Sequence, residues 1–186
     1  PAGPSAVTIE NVGDERLQNV YQTERWMNGA VAYRFGVNNG RFEVNLHFAE
    51  TCEGCGISAA DEATRRINAS VEGEEALVHW SAALAAGEEA GARPTAFRAV
   101  VRTFEVDVKD GLLDVLVSDV GLLGTPPEDA QINGISYRRL GNATGAAISG
   151  DLEYRGPVEH PVQAQVELVS ADFEDAAAGE CPAGWS

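Results

Sequence analysis

The most abundant side chains in this sequence that could act in catalysis or ligand binding are carboxylates, since 29 of its 186 residues are Asp or Glu. Some of them stand close together, as Glu50 does with Glu53 and Asp61 with Glu62. A glycosidase needs two carboxyl groups at a set separation across a cleft, which spacing in sequence does not establish. With so many acidic residues, such pairs arise by chance. The sequence contains no nucleophile elbow, Ser-His-Asp order or phosphate loop, so it predicts a protein that is not an enzyme.

The cysteines are the next reactive group, and they number three: Cys52, Cys55 and Cys181. Neither they nor the three histidines show the paired spacing of a metal site, so no metal or other cofactor is predicted. If the protein is exported, we expect a local disulfide between Cys52 and Cys55, since Gly54 lets the chain turn. Free thiols are the alternative. Calcium binding among loop carboxylates stays open, because no ordered Asp-x-Asp loop locates a site.

Strands must position these groups, because apolar and polar residues alternate over long stretches. In the clearest stretch the apolar positions are Phe42, Val44, Leu46 and Phe48. The polar positions between them are Arg41, Glu43, Asn45 and His47. The sequence therefore predicts a strand with its apolar face in a core and its polar face toward water or a partner.

Turn signals predict how the strands connect. Asn38-Asn39-Gly40 predicts that residues 31–37 fold back as the hairpin partner of this strand, and Asp110-Gly111 predicts a hairpin between residues 101–108 and 113–117. Residues 66–71 and 74–79 are expected to pair across Glu72-Gly73. Ser81 is a candidate N-cap for a helix at residues 81–90. The pattern indicates an all-β fold, an antiparallel, jelly-roll-like β-sandwich with one short helix.

Several blocks of sequence resemble the malectin domain, a carbohydrate-binding β-sandwich, over about residues 20–140. The blocks are Tyr-Gln-Thr-Glu-Arg-Trp at 21–26, Tyr-Arg-Phe at 33–35, Gly-Arg-Phe-Glu-Val-Asn-Leu-His-Phe-Ala-Glu at 40–50 and Ala-Gln-Ile-Asn-Gly-Ile at 130–135. They occur in the order that the family shows. The resemblance therefore implies a malectin-like sandwich that binds carbohydrate.

The same resemblance implies a set of binding residues. Trp26 matches the position that stacks on sugar in the family, with a core tryptophan as the alternative. The family's acidic ligand falls on Glu128 or Asp129. Where malectin has an adjacent Tyr-Phe pair, this chain has Cys52 and Glu53. The expected carbohydrate-binding residues are therefore Trp26, Glu53, Glu128 and Asp129, without the sugar specificity of malectin.

Charge excludes two kinds of partner. The net charge of −16 argues against nucleic acid and against anionic membranes, because a phosphate backbone is held by Lys and Arg clusters. No apolar run approaches the roughly 20 residues of a membrane-spanning helix. The acidity fits a high-GC genome or a salty habitat, and composition does not separate the two.

The chain divides into a sandwich at residues 1–140, a flexible linker at 141–150, and a strand-bearing tail or the start of a further domain at 151–186. In the tail, the apolar positions of one alternating segment are Val162, Ala164, Val166 and Leu168. We expect them to be buried against a sheet, with a slight preference for a sheet of a neighbouring subunit. Asn68 and Asn142 begin glycosylation sequons.

Two hypotheses follow. The first is a non-catalytic carbohydrate-binding module of an exported or cell-surface protein. The alternative is a structural subunit of a surface layer, adhesin or filament, which uses the sandwich as scaffold and copies of itself as partners, with the tail adding a strand to a neighbour.

Overall fold

The computed structural model describes residues 8–52, 56–58, 63–120 and 130–140. Its strands are β1 (Arg25–Met27), β2 (Ala30–Gly36), β3 (Gly40–Phe48), β4 (Ile67–Val71), β5 (Glu74–Trp80), β6 (Val100–Val108), β7 (Leu112–Asp119), β8 (Ala130–Ile132) and β9 (Gly134–Arg139). Its helical elements are a 3₁₀ helix at Glu15–Leu17, α1 (Gln18–Tyr21) and α2 (Ala82–Ala90).

The strands form an antiparallel β-sandwich, which confirms the predicted fold class. One sheet has the order β6-β3-β9, the other has the order β2-β7-β4-β5, and β1 pairs with β8 as a separate ribbon. The four apolar positions of β3 are at most 4% exposed, because that face meets the apolar face of the four-stranded sheet. Burial of these side chains is the main stabilising contribution to the sandwich.

Two predicted hairpins are wrong. β2 pairs with β7 and β3 pairs with β6 and β9, so neither β2–β3 nor β6–β7 is a hairpin. The turns at residues 37–39 and 109–111 cross from one sheet to the other and bond to each other, from Val37 N to Gly111 O at 2.9 Å. The crossing brings the apolar faces of successive strands against one another across the core. An alternating pattern marks a strand but does not specify its partner.

The predictions that depended on particular turn and capping residues are confirmed. β4 and β5 form a hairpin, and Glu72 and Gly73 between them both have positive φ, at 53° and 79°. α2 begins after Ser81, whose hydroxyl accepts a hydrogen bond from Leu84 N at 3.4 Å. It ends at Gly91, which adopts the left-handed conformation.

The polar face of β3 is more covered than its sequence predicts. Glu43 and His47 are buried, and Glu43 receives two hydrogen bonds of 2.7 Å from the guanidinium of Arg138. Before β1, the chain forms the 3₁₀ helix and then α1. α1 brings Tyr21 against His47, with the ring centroids 5.6 Å apart.

Candidate functional site

Asn133 stands between β8 and β9 and is fully buried. It organises the end of the sandwich at which β3 ends and β1 begins, which we call the loop end. Its side-chain oxygen accepts a hydrogen bond from the backbone N–H of Ala49 at 2.6 Å. Its side-chain nitrogen donates to the backbone oxygens of Tyr21 and Thr23 at 3.3 and 2.8 Å. One amide therefore ties together the segment before β1, the end of β3 and the β8–β9 connection.

A buried charged cluster, formed by Glu24, Glu50, Arg65 and Gln131, lies beside it. Each of these residues is at most 6% exposed. Nη1 of Arg65 lies 2.9 and 3.0 Å from the two carboxylate oxygens of Glu50 and 2.7 Å from the side-chain oxygen of Gln131. It also lies 3.9 Å from Oε2 of Glu24, so two carboxyl groups share one guanidinium.

Glu50 is the residue of the cluster whose ionisation is most perturbed. Burial raises its pKa to about 7, nearby Glu24 also raises it, and Arg65 opposes the change. The backbone N–H of Cys52 donates to this carboxyl group at 3.0 Å. On its outer side lies Gly56, where a Cβ would sit 1.8 Å from Oε2 of Glu50, so any larger residue would displace the carboxyl group.

A buried chain of hydrogen bonds joins Tyr21, His47 and Ser136. It resembles a catalytic arrangement in which Ser136 is the nucleophile, His47 is the base and Tyr21 is the group that orients the base. Tyr21 Oη lies 2.7 Å from His47 Nδ1, and His47 Nε2 lies 2.8 Å from Ser136 Oγ. Burial lowers the pKa of His47 to about 4 and raises that of Tyr21, so both rings are neutral at neutral pH.

The need of each buried polar atom for a partner decides which groups donate and which accept in the Tyr21–His47–Ser136 hydrogen bonds. If His47 Nδ1 carried the proton, the buried phenol O–H of Tyr21 would have no acceptor among the described residues, which is costly. The phenol therefore donates to Nδ1, and Nε2–H donates to Ser136. In this tautomer His47 has no free lone pair facing the serine, so it does not activate Ser136 as a nucleophile.

Trp26 lies on β1 directly opposite Gln131 of β8, so the two side chains leave the same side of the ribbon. Trp26 is half-buried. The indole Nε1 is buried, and no described residue accepts a hydrogen bond from it. By contrast, the ring of Trp80 packs on Phe48 with centroids 4.7 Å apart, in the core.

Most of the other sequence-predicted site residues lie outside the described residues. These are Glu53, Cys55, Glu128, Asp129, Asn142, Val162, Ala164, Val166 and Leu168. The predicted sugar site, the Cys52–Cys55 pairing, the linker and the tail therefore stay predictions. Cys52 itself is buried and disulfide-bonded.

Asn68, the other sequon residue, has a structural contact. It lies on β4, and its side-chain oxygen accepts a hydrogen bond from the backbone N–H of His79 at 2.9 Å. His79 has a positive φ of 49° beside an irregularity in the β4–β5 pairing. Asn68 thus supports a bulge in the edge strand β5.

Across residues 8–52, 56–58, 63–120 and 130–140, no group of three or more His, Cys, Asp or Glu side chains is arranged to hold a metal ion. Over the same residues, no helix has the length and apolar character needed to cross a membrane.

Similarity to known proteins is found at the level of structure. No protein-family model and no curated protein matches the sequence. Among solved structures, a chain in the crystal structure of plant peptide RALF23 in complex with FER and LLG2 has 21% identity and a TM-score of 0.53, with 77% of this chain and 34% of that chain covered. The ANXUR2 extracellular domain from Arabidopsis thaliana has 19% identity and a TM-score of 0.51, covering 75% and 34%. The ANXUR1 extracellular domain from the same plant has 16% identity and a TM-score of 0.51, covering 71% and 32%.

These structures are malectin-like extracellular domains, and their likeness to this chain supports the fold that the sequence blocks implied. The chain has the malectin-like fold. It spans about a third of the length of each of these three chains. At these identities the likeness establishes the malectin-like fold and leaves the ligand to be argued from the site.

Sequence reasoning identified the motif residues of this malectin-like fold. It did not predict that several of them are buried and hold different parts of the chain together. Glu24, Glu50, Gln131 and Asn133 all stand in the quoted blocks, yet each is buried and bonded to another part of the chain. The signal that could have found them is their place in the quoted blocks, next to apolar residues such as Ile132 and Phe48 that enter the core. Arg65, the common partner of Glu24, Glu50 and Gln131, lies outside the quoted blocks.

Proposed function

We propose that this chain is a non-catalytic carbohydrate-binding module of an exported or cell-surface protein. The observation that carries the proposal is Trp26, a half-buried ring at the loop end whose buried indole N–H lacks an acceptor in the described part of the chain. An aromatic face stacks on a pyranose ring, and an unpaired N–H donates to a sugar hydroxyl. No cofactor is required, because aromatic rings, amides and carboxylates suffice for this recognition.

The polar residues beneath Trp26 support the proposal by making its surroundings rigid. Gln131, the cross-strand partner of Trp26, is held by Arg65 at 2.7 Å, and its side-chain nitrogen donates to the backbone oxygen of Ala49. A fixed platform lowers the entropy cost of binding a flexible sugar. Glu53, Glu128 and Asp129 belong by sequence to the loops that follow β3 and precede β8, so they are the proposed hydroxyl acceptors.

A glycan array followed by calorimetry on the hits tests the proposal. We expect Trp26→Ala to weaken binding by at least about tenfold, or about 1.4 kcal/mol, and Trp26→Phe to retain part of the affinity because it keeps an aromatic face. Leu116→Ala is the matched control, since Leu116 is an exposed apolar residue on the four-stranded sheet. Unchanged binding by Trp26→Ala, or an array without any hit, would refute the proposal.

The acidic residues are tested one at a time by isosteric changes. Glu53→Gln, Glu128→Gln and Asp129→Asn each keep side-chain size and remove the charge. We expect a loss of affinity from Glu53→Gln and from one of the two neighbouring changes, because only one of Glu128 and Asp129 aligns with the expected ligand position. If all three variants bind as the wild type does, these residues have no part in binding.

A second candidate function is assembly, and the position of β2 at the edge of the described four-stranded sheet favours it. All seven residues of β2 pair with β7 in unbroken register, and no other described strand pairs with β2. A flat, regular edge accepts an added strand readily. We propose that residues 162–168 of a neighbouring copy supply that strand in a surface layer, adhesin or filament.

Point changes in the full chain test assembly without removing a segment. Val166→Asp and Leu168→Asp each place a charge at an apolar position of the alternating segment in the tail. Gln163→Asp places a charge at a polar position of the same segment and serves as the control. We expect the first two to shift the mass measured by light scattering from oligomer to monomer. A wild-type protein that is monomeric across the concentration range would exclude this function.

A further inference from the structure

Gln131 carries a hydrogen-bond donor that the described part of the chain leaves unpaired. Arg65 only donates and the backbone oxygen of Ala49 only accepts, so the side-chain oxygen of Gln131 must face Arg65, at 2.7 Å, and its nitrogen must face Ala49. The amide nitrogen has two hydrogens, and the bond to Ala49 uses one of them. Gln131 is 2% exposed, and no described residue accepts its second N–H.

Trp26 places another unpaired donor beside this one. Trp26 and Gln131 are direct cross-strand partners, and their side chains leave the same side of the β1–β8 ribbon. The β-carbons of such partners lie about 5 Å apart. The indole N–H is buried and has no acceptor among the described residues. Buried N–H groups are normally paired, so two neighbouring free donors indicate a place for an oxygen that the described residues do not supply.

We propose that these two N–H groups bind the carbonyl oxygen of an acetamido group, so that the preferred ligands are N-acetylated amino sugars. This inference rests on the proposed carbohydrate-binding function and names the class of sugar. A carbonyl oxygen has two lone pairs and no proton, so it satisfies both donors without adding a third. A hydroxyl would bring a proton into a site whose described acceptors, the backbone oxygen of Ala49 and the side-chain oxygen of Gln131, are already bonded.

The burial of both donors favours the same group. The oxygen of a sugar hydroxyl is bonded directly to a ring carbon, whereas the carbonyl oxygen of an acetamido group lies two bonds farther from the ring. A sugar ring stacked on the half-buried Trp26 therefore reaches donors beneath the surface through its acetamido arm. The carboxylate of a uronic acid also projects from the ring, but the net charge of −16 opposes an anionic ligand.

Calorimetry on the full chain with matched pairs of oligosaccharides tests the inference. The two members of a pair share their linkages and differ only in an acetamido group or a hydroxyl at one ring carbon, in a gluco series and in a galacto series. We expect the acetamido member to bind at least about tenfold more tightly. In Trp26→Phe, which keeps the aromatic face and removes the N–H, we expect this preference to fall below about threefold.

Equal affinity for the two members of a pair would overturn the inference and leave the proposed function standing. Failure of every member to bind would also overturn it, and the glycan array then decides the proposed function separately. A preference that Trp26→Phe retains in full would show that the indole N–H has no part in it.

NMR of the wild type during titration with the acetamido member of the gluco series gives a result that depends on no variant. Hydrogen bonding to a shared oxygen should move the indole N–H of Trp26 and a side-chain N–H of Gln131 downfield together. The indole N–H of Trp80 is the matched control, because the ring of Trp80 packs on Phe48 in the core. A shift at Trp26 without one at Gln131, or a shift at neither, would overturn the shared oxygen.

Discussion

Replacement of Asn133 by alanine should destabilise the sandwich more than any single hydrogen bond suggests. The change leaves the buried N–H of Ala49 without an acceptor, and the backbone oxygens of Tyr21 and Thr23 lose their donor. An orphaned buried polar group costs about 1–3 kcal/mol. Since the two oxygens have a second lone pair each, we expect a total loss of about 3 kcal/mol in the free energy of unfolding, out of a typical 5–15 kcal/mol.

Urea denaturation followed by circular dichroism measures this loss. Asn39→Ala is the control, because Asn39 also donates one side-chain hydrogen bond, to Lys109 O at 2.7 Å, but does so at the exposed end of the sandwich. It should cost less than about 0.5–1 kcal/mol. A loss below about 1 kcal/mol for Asn133→Ala would refute the reasoning, since it would mean that the freed groups find other partners.

A further variant separates the acceptor from the donor. Asn133→Asp keeps the oxygen that accepts from Ala49, but it places a negatively charged oxygen against the backbone oxygens of Tyr21 and Thr23 that the amide nitrogen had donated to. We expect it to be less stable than Asn133→Ala at pH 8 and to recover part of the loss at pH 5, where the new carboxyl group takes up a proton.

The remaining predictions concern the same buried groups. Tyr21→Phe should cost about 1–3 kcal/mol, because Nδ1 of His47 loses its donor in a dry site, as urea denaturation would detect. Gly56→Ala should cost about 3 kcal/mol by the same assay, because its Cβ displaces the carboxyl group of Glu50 from its guanidinium partner. Glu50→Gln should gain stability relative to the wild type as pH rises from 4.5 to 7, by about 1.4 kcal/mol per unit and about 3 kcal/mol in all, as thermal denaturation across pH would show.

Proton binding by Glu50 determines how the stability of the wild type changes with pH. The folded wild type holds the Glu50 proton up to about pH 7, whereas the unfolded chain loses it at about 4.5, so this group's stabilisation is complete below pH 4.5 and is lost as pH rises to 7. His47 acts in reverse between about pH 4 and 6.5. The difference between wild type and Glu50→Gln isolates Glu50. A difference that is constant with pH would contradict the assignment.

One control variant and one direct measurement accompany these predictions. Gly36→Ala adds a Cβ that meets nothing within 4 Å, so it should leave stability within about 0.5 kcal/mol of the wild type. The tautomer of His47 is visible directly in ¹⁵N NMR, where Nε2 should be protonated and Nδ1 should not. A protonated Nδ1 would reverse the direction of the hydrogen-bonded chain to Ser136.

The sequence by itself determined the local elements, because their physical causes are local. Alternation marks β3 as a strand with one buried face, since successive side chains point to opposite sides of the backbone. The Glu72-Gly73 turn and the Ser81 cap depend on backbone angles and hydrogen bonds within a few residues. The motif blocks also indicated the malectin-like fold before any contact was known.

Only the tertiary structure decided which strands pair and what the motif residues do. β2 and β3 are adjacent in sequence but lie in different sheets, because each must turn its apolar face toward a common core. Glu50 carries no local sign that it will be buried against Arg65, 15 residues away, under Gly56. Its environment is built from segments distant in sequence, so the charge balance of the cluster exists only once the chain has folded.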